Sequence, residues 1–168
     1  PFPWCPPVSG CRRQQGPAAL ERDIKFRNAA VRSLATFLPH EVTGATVVFR
    51  EFISLPSVPA ILFDPQIAVE VAYLQCPDTT GEPPEYDLAI SKYEKWDEAV
   101  LQIKKGWADL DRAAPRANDD CFARNKDPLL YAVAVRGPAT SLVALLEREQ
   151  VRLVDLEGYG HLSGIPKP

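Results

Sequence analysis

Two histidines, four cysteines and 22 acidic residues are the side chains of this 168-residue chain with the most chemical potential. Nucleophilic catalysis needs a Ser or Cys beside a His that a carboxylate orients. His40 follows a proline, Pro39, and His161 lies in "EGYGHLSGIPKP", so both read as solvated surface residues. The turn "VRGPATS" precedes an apolar helical pattern, the place where phosphate sites often form. It has one glycine and no following Lys-Ser/Thr pair, so the phosphate-loop pattern is absent. Thr140 and Ser141 read instead as capping residues. Asp119-Asp120, Asp109 and Asp111 do not follow a calcium-loop pattern. No acidic pair is singled out for glycoside chemistry. The expectation is a protein without catalytic, cofactor-binding or metal-binding residues, hence not an enzyme.

Cys5, Cys11, Cys76 and Cys121 allow three pairings if all are oxidised. "CPPVSGC" separates its thiols by five residues, more than zinc-ligand spacing permits. The two readings are disulfides Cys5–Cys11 and Cys76–Cys121, or four reduced and partly buried thiols. An even count and Cys in Pro-rich loops favour the disulfides, and closing the larger loop would contribute about 4 kcal/mol.

The formal net charge of −3 gives no basic footprint for nucleic acid. Apolar runs fall short of the ~20 residues that span a bilayer; "ATVVFREFISL" is interrupted by Arg50 and Glu51. The chain starts at Pro1 and has no Met. That suggests a mature secreted protein, a piece of a longer one, or a chain trimmed at its start. Any membrane attachment would come through a missing upstream segment.

The elements follow from pattern. Residues 1–16, "PFPWCPPVSGCRRQQG", are too rich in Pro and Gly for a regular element. From Pro17, a helical stripe of Leu20, Ile24, Val31, Leu34 and Leu38 runs to Pro39. "VTGATVVFREFISL" is a strand, with Val47, Phe49 and Glu51 opposite Val48, Arg50 and Phe52. Gly44 marks a bulge or a turn entrance. Three prolines in "PSVPAILFDPQ" exclude a central strand. "IAVEVAYLQ" alternates, placing Ile67, Val69, Val71 and Tyr73 on a core face.

The spacing of Tyr86, Ala89, Tyr93, Trp96, Val100, Ile103, Trp107 and Leu110 predicts a long helix from about Glu85 to Ala114. Its seam, centred on Tyr93, Trp96, Val100, Ile103 and Trp107, reads as a face laid on a sheet. The alternative is a recognition stripe for a partner helix. "LLYAVAVRGPATSLVALLEREQVRLVDL" then reads strand, turn, helix and strand, a minimal β-α-β unit. Tyr131, Val133 and Val135 alternate, and Leu142, Val143, Leu145 and Leu146 form the helix's buried stripe. Residues 158–168 form a tail without a packing pattern.

"YAVAVRGPATSLVALLEREQVRLVDL", Tyr131 to Leu156, resembles the C-terminal extracytoplasmic domain of membrane-bound anti-sigma factors of Gram-positive bacteria. The shared pattern is a hydrophobic strand, a Gly-Pro turn, a Leu-rich short helix and a strand of the "VRLVDL" kind. The amphipathic helix "YEKWDEAVLQIKKGWADL" is similar in placement. The resemblance covers about a third of the chain. It implies a non-enzymatic sensory domain outside the cell, hung from a transmembrane helix, and carries over no binding residue.

The expected fold is α+β: a mixed or antiparallel sheet of four to five strands, three helices mainly on one face, and the C-terminal β-α-β unit. The expected organisation is a Pro-rich segment 1–16, one domain 17–157 and a tail 158–168. The expected function is an extracytoplasmic sensing or protein-interaction domain of a membrane-anchored regulator. Its ligand would be an unidentified small molecule or protein. The alternatives are a secreted or periplasmic ligand-binding protein acting alone, or a small hydrolase whose site forms only in three dimensions.

Overall fold

The computed structural model describes residues 17–62, 64–75, 86–89, 95–113 and 129–157. Helix α1 spans Pro17–Phe37, with proline at its first position, where the missing N–H costs nothing. Ile24, Ala30, Val31 and Leu34 are buried along it. The Leu38 N–H still donates to the Leu34 carbonyl at 2.7 Å, but the chain then turns at Pro39. That turn carries Leu38 off the stripe, and it is exposed where the sequence pattern placed it inside.

Strand β1, Val42–Ser54, follows directly. It is buried without interruption from Gly44 to Phe49, as a strand with a packed layer on each side must be. A short 3-10 turn at Leu55–Ser57 and helix α2, Val58–Leu62, occupy the proline-rich stretch. Strands β2, Ala68–Gln75, and β3, Tyr86–Ala89, come next, then helix α3, Trp96–Ala113. Strand β4, Leu129–Pro138, helix α4, Ala139–Leu145, and strand β5, Val151–Leu156, complete the order.

The five strands form one sheet in the order β3-β2-β4-β1-β5. Every neighbouring pair is antiparallel. The architecture is therefore α+β with an antiparallel sheet. Strands β4 and β5 both run opposite to β1, so they are parallel to each other, with β1 inserted between them. The C-terminal strand-helix-strand is a split β-α-β unit rather than a pair of parallel neighbours.

The main core takes Val31 and Leu34 from α1, Val58, Ile61 and Leu62 from α2, Ala99 and Ile103 from α3, and Leu142 and Leu145 from α4. These meet Ala45, Val47 and Phe49 of β1, Val133 and Val135 of β4, and Val154 of β5. A second cluster joins Ile24 of α1 to Val48, Tyr73, Tyr131, Ala132, Ala134 and Leu153. Its Tyr73 and Tyr131 rings stack with centroids 6.0 Å apart. Helix α1 thus lies along β5, the edge strand, with residues in both clusters.

Two further sequence expectations need correction. Four residues near the start of the expected long helix are strand: Tyr86–Ala89 pair with β2, and α3 spans Trp96–Ala113. Tyr86 and Ala89 stand three apart, a spacing that fits a helix face, but a four-residue strand is too short to show its own period. The second concerns β2. Its register shifts between Val69 and Val71, leaving Glu70 as an extra residue. A bulge of this kind reverses the alternation beyond it. Ile67 and Val69 therefore pack on the main core, Val71 and Tyr73 join the second cluster, and Ala72 and Leu74 take the inward positions.

Candidate functional site

The turn before α4 is the place where anion chemistry would begin, and two of its backbone donors are already engaged. The Ala139 N–H donates to the Glu41 carbonyl at 2.9 Å, and the Thr140 N–H donates to the Pro39 carbonyl at 3.2 Å. The free N–H groups of a first helical turn normally look for side-chain caps, water or anions. Here the turn between α1 and β1 supplies backbone carbonyls instead. Pro138 occupies the N-cap position without a side-chain cap, so the expected capping by Thr140 and Ser141 gives way to this arrangement. The Ser141 hydroxyl instead faces Gln66 Oε1 at 3.3 Å.

Gly137 makes the junction possible. A Cβ there would lie 3.1 Å from the Gln66 carbonyl oxygen and 3.1 Å from Ile67 Cγ1. The Gln66 turn is itself held by its N–H to the Asp64 carboxylate at 2.8 Å, and by the Ile67 N–H to the Asp64 carbonyl at 3.0 Å. We expect Gly137→Ala to destabilise the protein by about 1–2 kcal/mol through overpacking, read as a shift in the urea midpoint at constant slope. Gly44, expected at a bulge or turn, is instead a regular ladder residue opposite Arg136. The Glu157 carboxylate occupies the space its side chain would take.

The strongest polar constellation joins α1 to β5. Arg27 Nη1 donates to both oxygens of Asp155 at 2.7 Å, and Arg27 Nε donates to Asp23 at 2.9 Å, one helical turn away. Asp155 is buried in a strand whose other buried residues, Val151, Leu153, Val154 and Leu156, are apolar. Burial pushes its carboxyl above the usual range, an effect that Asp23 reinforces and Arg27 only partly offsets. Burial acts to lower the Arg27 pKa, but the bonds and attraction from Asp155 and Asp23 outweigh it and raise the value. The guanidinium sits between two carboxylates, whereas Asp155, deeper in the fold, has one cation against it among the described residues. The contacts are those of an ionised pair. They fasten a helix to a strand.

Asn28, the next residue, closes the outer edge of β5. Its amide nitrogen donates to the Arg152 carbonyl at 3.1 Å, and its amide oxygen accepts from the Val154 N–H at 3.1 Å. These two backbone groups bracket Leu153, as a residue on a parallel neighbouring strand would bracket it. One side chain thereby stands in for a strand at an edge that would otherwise offer unpaired backbone groups. Arg152 with Glu21 at 2.6 Å and Arg32 with Glu147 at 3.0 Å extend the seam at its exposed margins. Exposed pairs of this kind contribute little. Asn28→Ala is expected to cost about 1–3 kcal/mol, because it leaves the buried Val154 N–H without its acceptor. Hydrogen exchange should show the Val154 amide losing protection, while Asn28→Asp, which keeps an acceptor, should retain more of it.

Of the residues singled out by sequence, His40 is exposed in the turn between α1 and β1. In the aromatic seam, Ile103 is buried, while Trp96 and Val100 pack partly buried against the main core. The Trp96 indole N–H donates to the Leu55 carbonyl at 2.8 Å. Tyr93, Cys5, Cys11, Cys76, Cys121, Asp119, Asp120 and His161 lie outside the described residues. The backbone of Trp107, Asp109 and Asp111 belongs to α3. Among the described residues no group of three or more His, Cys, Asp or Glu is placed to hold a metal ion, and no helix is long and apolar enough to cross a membrane.

Sequence reasoning missed Arg27, Asn28 and Asp155. A signal was present: the α1 stripe skips from Ile24 to Val31, and Arg27 and Asn28 fill that gap. Asp155 is the matching irregularity in "VRLVDL". Comparison with protein-family models, curated proteins and solved structures finds no match to the chain.

Proposed function

We propose that this chain is a non-enzymatic sensing or protein-interaction domain that works outside the cytoplasm as part of a membrane-anchored regulator of the anti-sigma-factor kind. The observation that carries the reading is the closed turn of the split β-α-β unit. There the Ala139 and Thr140 N–H groups are bonded to the Glu41 and Pro39 carbonyls. A scaffold role for the segment that resembles the regulator domains is supported by these two donors, which join α4 to the α1–β1 turn. The polar groups of α1 and β5 support the same reading, since Asp23, Arg27, Asn28 and Asp155 are engaged with one another or with backbone. The ligand in this proposal is a small molecule or a protein, reached by surface complementarity rather than by bond-making residues.

Two measurements test the proposal together. The first fuses alkaline phosphatase, which is active only outside the cytoplasm, to the C-terminus of the full-length natural protein. Phosphatase activity is expected. An inactive fusion whose fluorescent-protein counterpart glows would place the domain inside the cell and end the regulator reading. The second screens the purified chain against ester, phosphate and glycoside substrates, with no turnover above background expected. Turnover abolished by mutating one acidic pair would make the chain a hydrolase instead.

A further inference from the structure

No further inference is drawn: the strongest candidate, the exposed apolar corner formed by Phe37 and Leu38 after the buried part of α1 and by Val42 at the start of β1, carries nothing because nothing in the structure shows what covers it.

Discussion

Trp96→Ala is expected to destabilise the protein by about 3–5 kcal/mol, the usual range for truncating a large packed aromatic. Trp96 opens α3 and reaches back to the segment after β1, where its indole N–H meets the Leu55 carbonyl at 2.8 Å. Leu55 is buried, so the truncation would remove both the packing of the ring and the partner of a sheltered carbonyl. Trp96→Phe separates the two effects: it keeps much of the apolar contact and loses the donor, and should cost about 1 kcal/mol. Urea unfolding followed by far-UV circular dichroism measures both variants. If Trp96→Ala leaves the midpoint in place but abolishes binding to a partner, the seam is an interface and its partial burial is incidental.

The seam also shows how far the sequence could be read. A three- and four-residue recurrence of apolar side chains located the described part of α3, because Ile103 is buried on it and Trp96 and Val100 pack beside it; Ala99, also buried, lay outside the recurrence. The same recurrence, extended backwards, absorbed Tyr86 and Ala89, which belong to a strand. Periodicity carries no information about its own end when no proline or glycine marks the boundary. Where such markers exist the reading was sharp: Pro17 and Pro39 bracket α1, and the prolines after Ser54 end β1. Topology is another matter. That β1 lies between β4 and β5 depends on pairings between residues 86 and 107 positions apart, such as Val47 with Val133 and Val154. Local pattern is blind to contacts of that kind. It also missed the Glu70 bulge, since one extra residue in a strand leaves a hydrophobic run looking regular.

The α1–β5 seam was hidden for a related reason: its members lie far apart in sequence, and nothing local pairs the gap in the α1 stripe with Asp155. Its energetics can be tested by removing one partner. Arg27→Met should cost about 3 kcal/mol near neutral pH, because it leaves the buried Asp155 carboxylate without its cation. The long apolar methionine keeps much of the packing of the arginine stem, so the loss reports the charge. Arg27→Met combined with Asp155→Leu should recover much of that loss, since an apolar pair leaves no buried charge to solvate. If the single variant is as stable as the wild type, the pair is not buried enough to matter.

The pH dependence gives a sharper test. In the native protein the Asp155 carboxyl lies above its ordinary value, with burial the largest cause. The folded state therefore binds that proton more readily than the unfolded state. The stability contributed by this site is fully present below the unfolded pKa and is lost as pH rises through the higher folded pKa. Removing Arg27 takes away the one influence that lowers the folded pKa, leaving burial and the repulsion from Asp23. The folded value must then rise further, and the loss must extend over a wider range of pH. The difference in unfolding free energy between wild type and Arg27→Met is accordingly expected to be largest near about pH 7 and to shrink on acidification, as Asp155 takes up a proton. Urea titrations of both proteins from neutral pH downwards follow the carboxylates that Arg27 touches, because those it does not touch largely cancel in the difference. A gap that stays constant, or widens on acidification, would mean that Arg27 acts through the packing of its stem rather than through the buried charge.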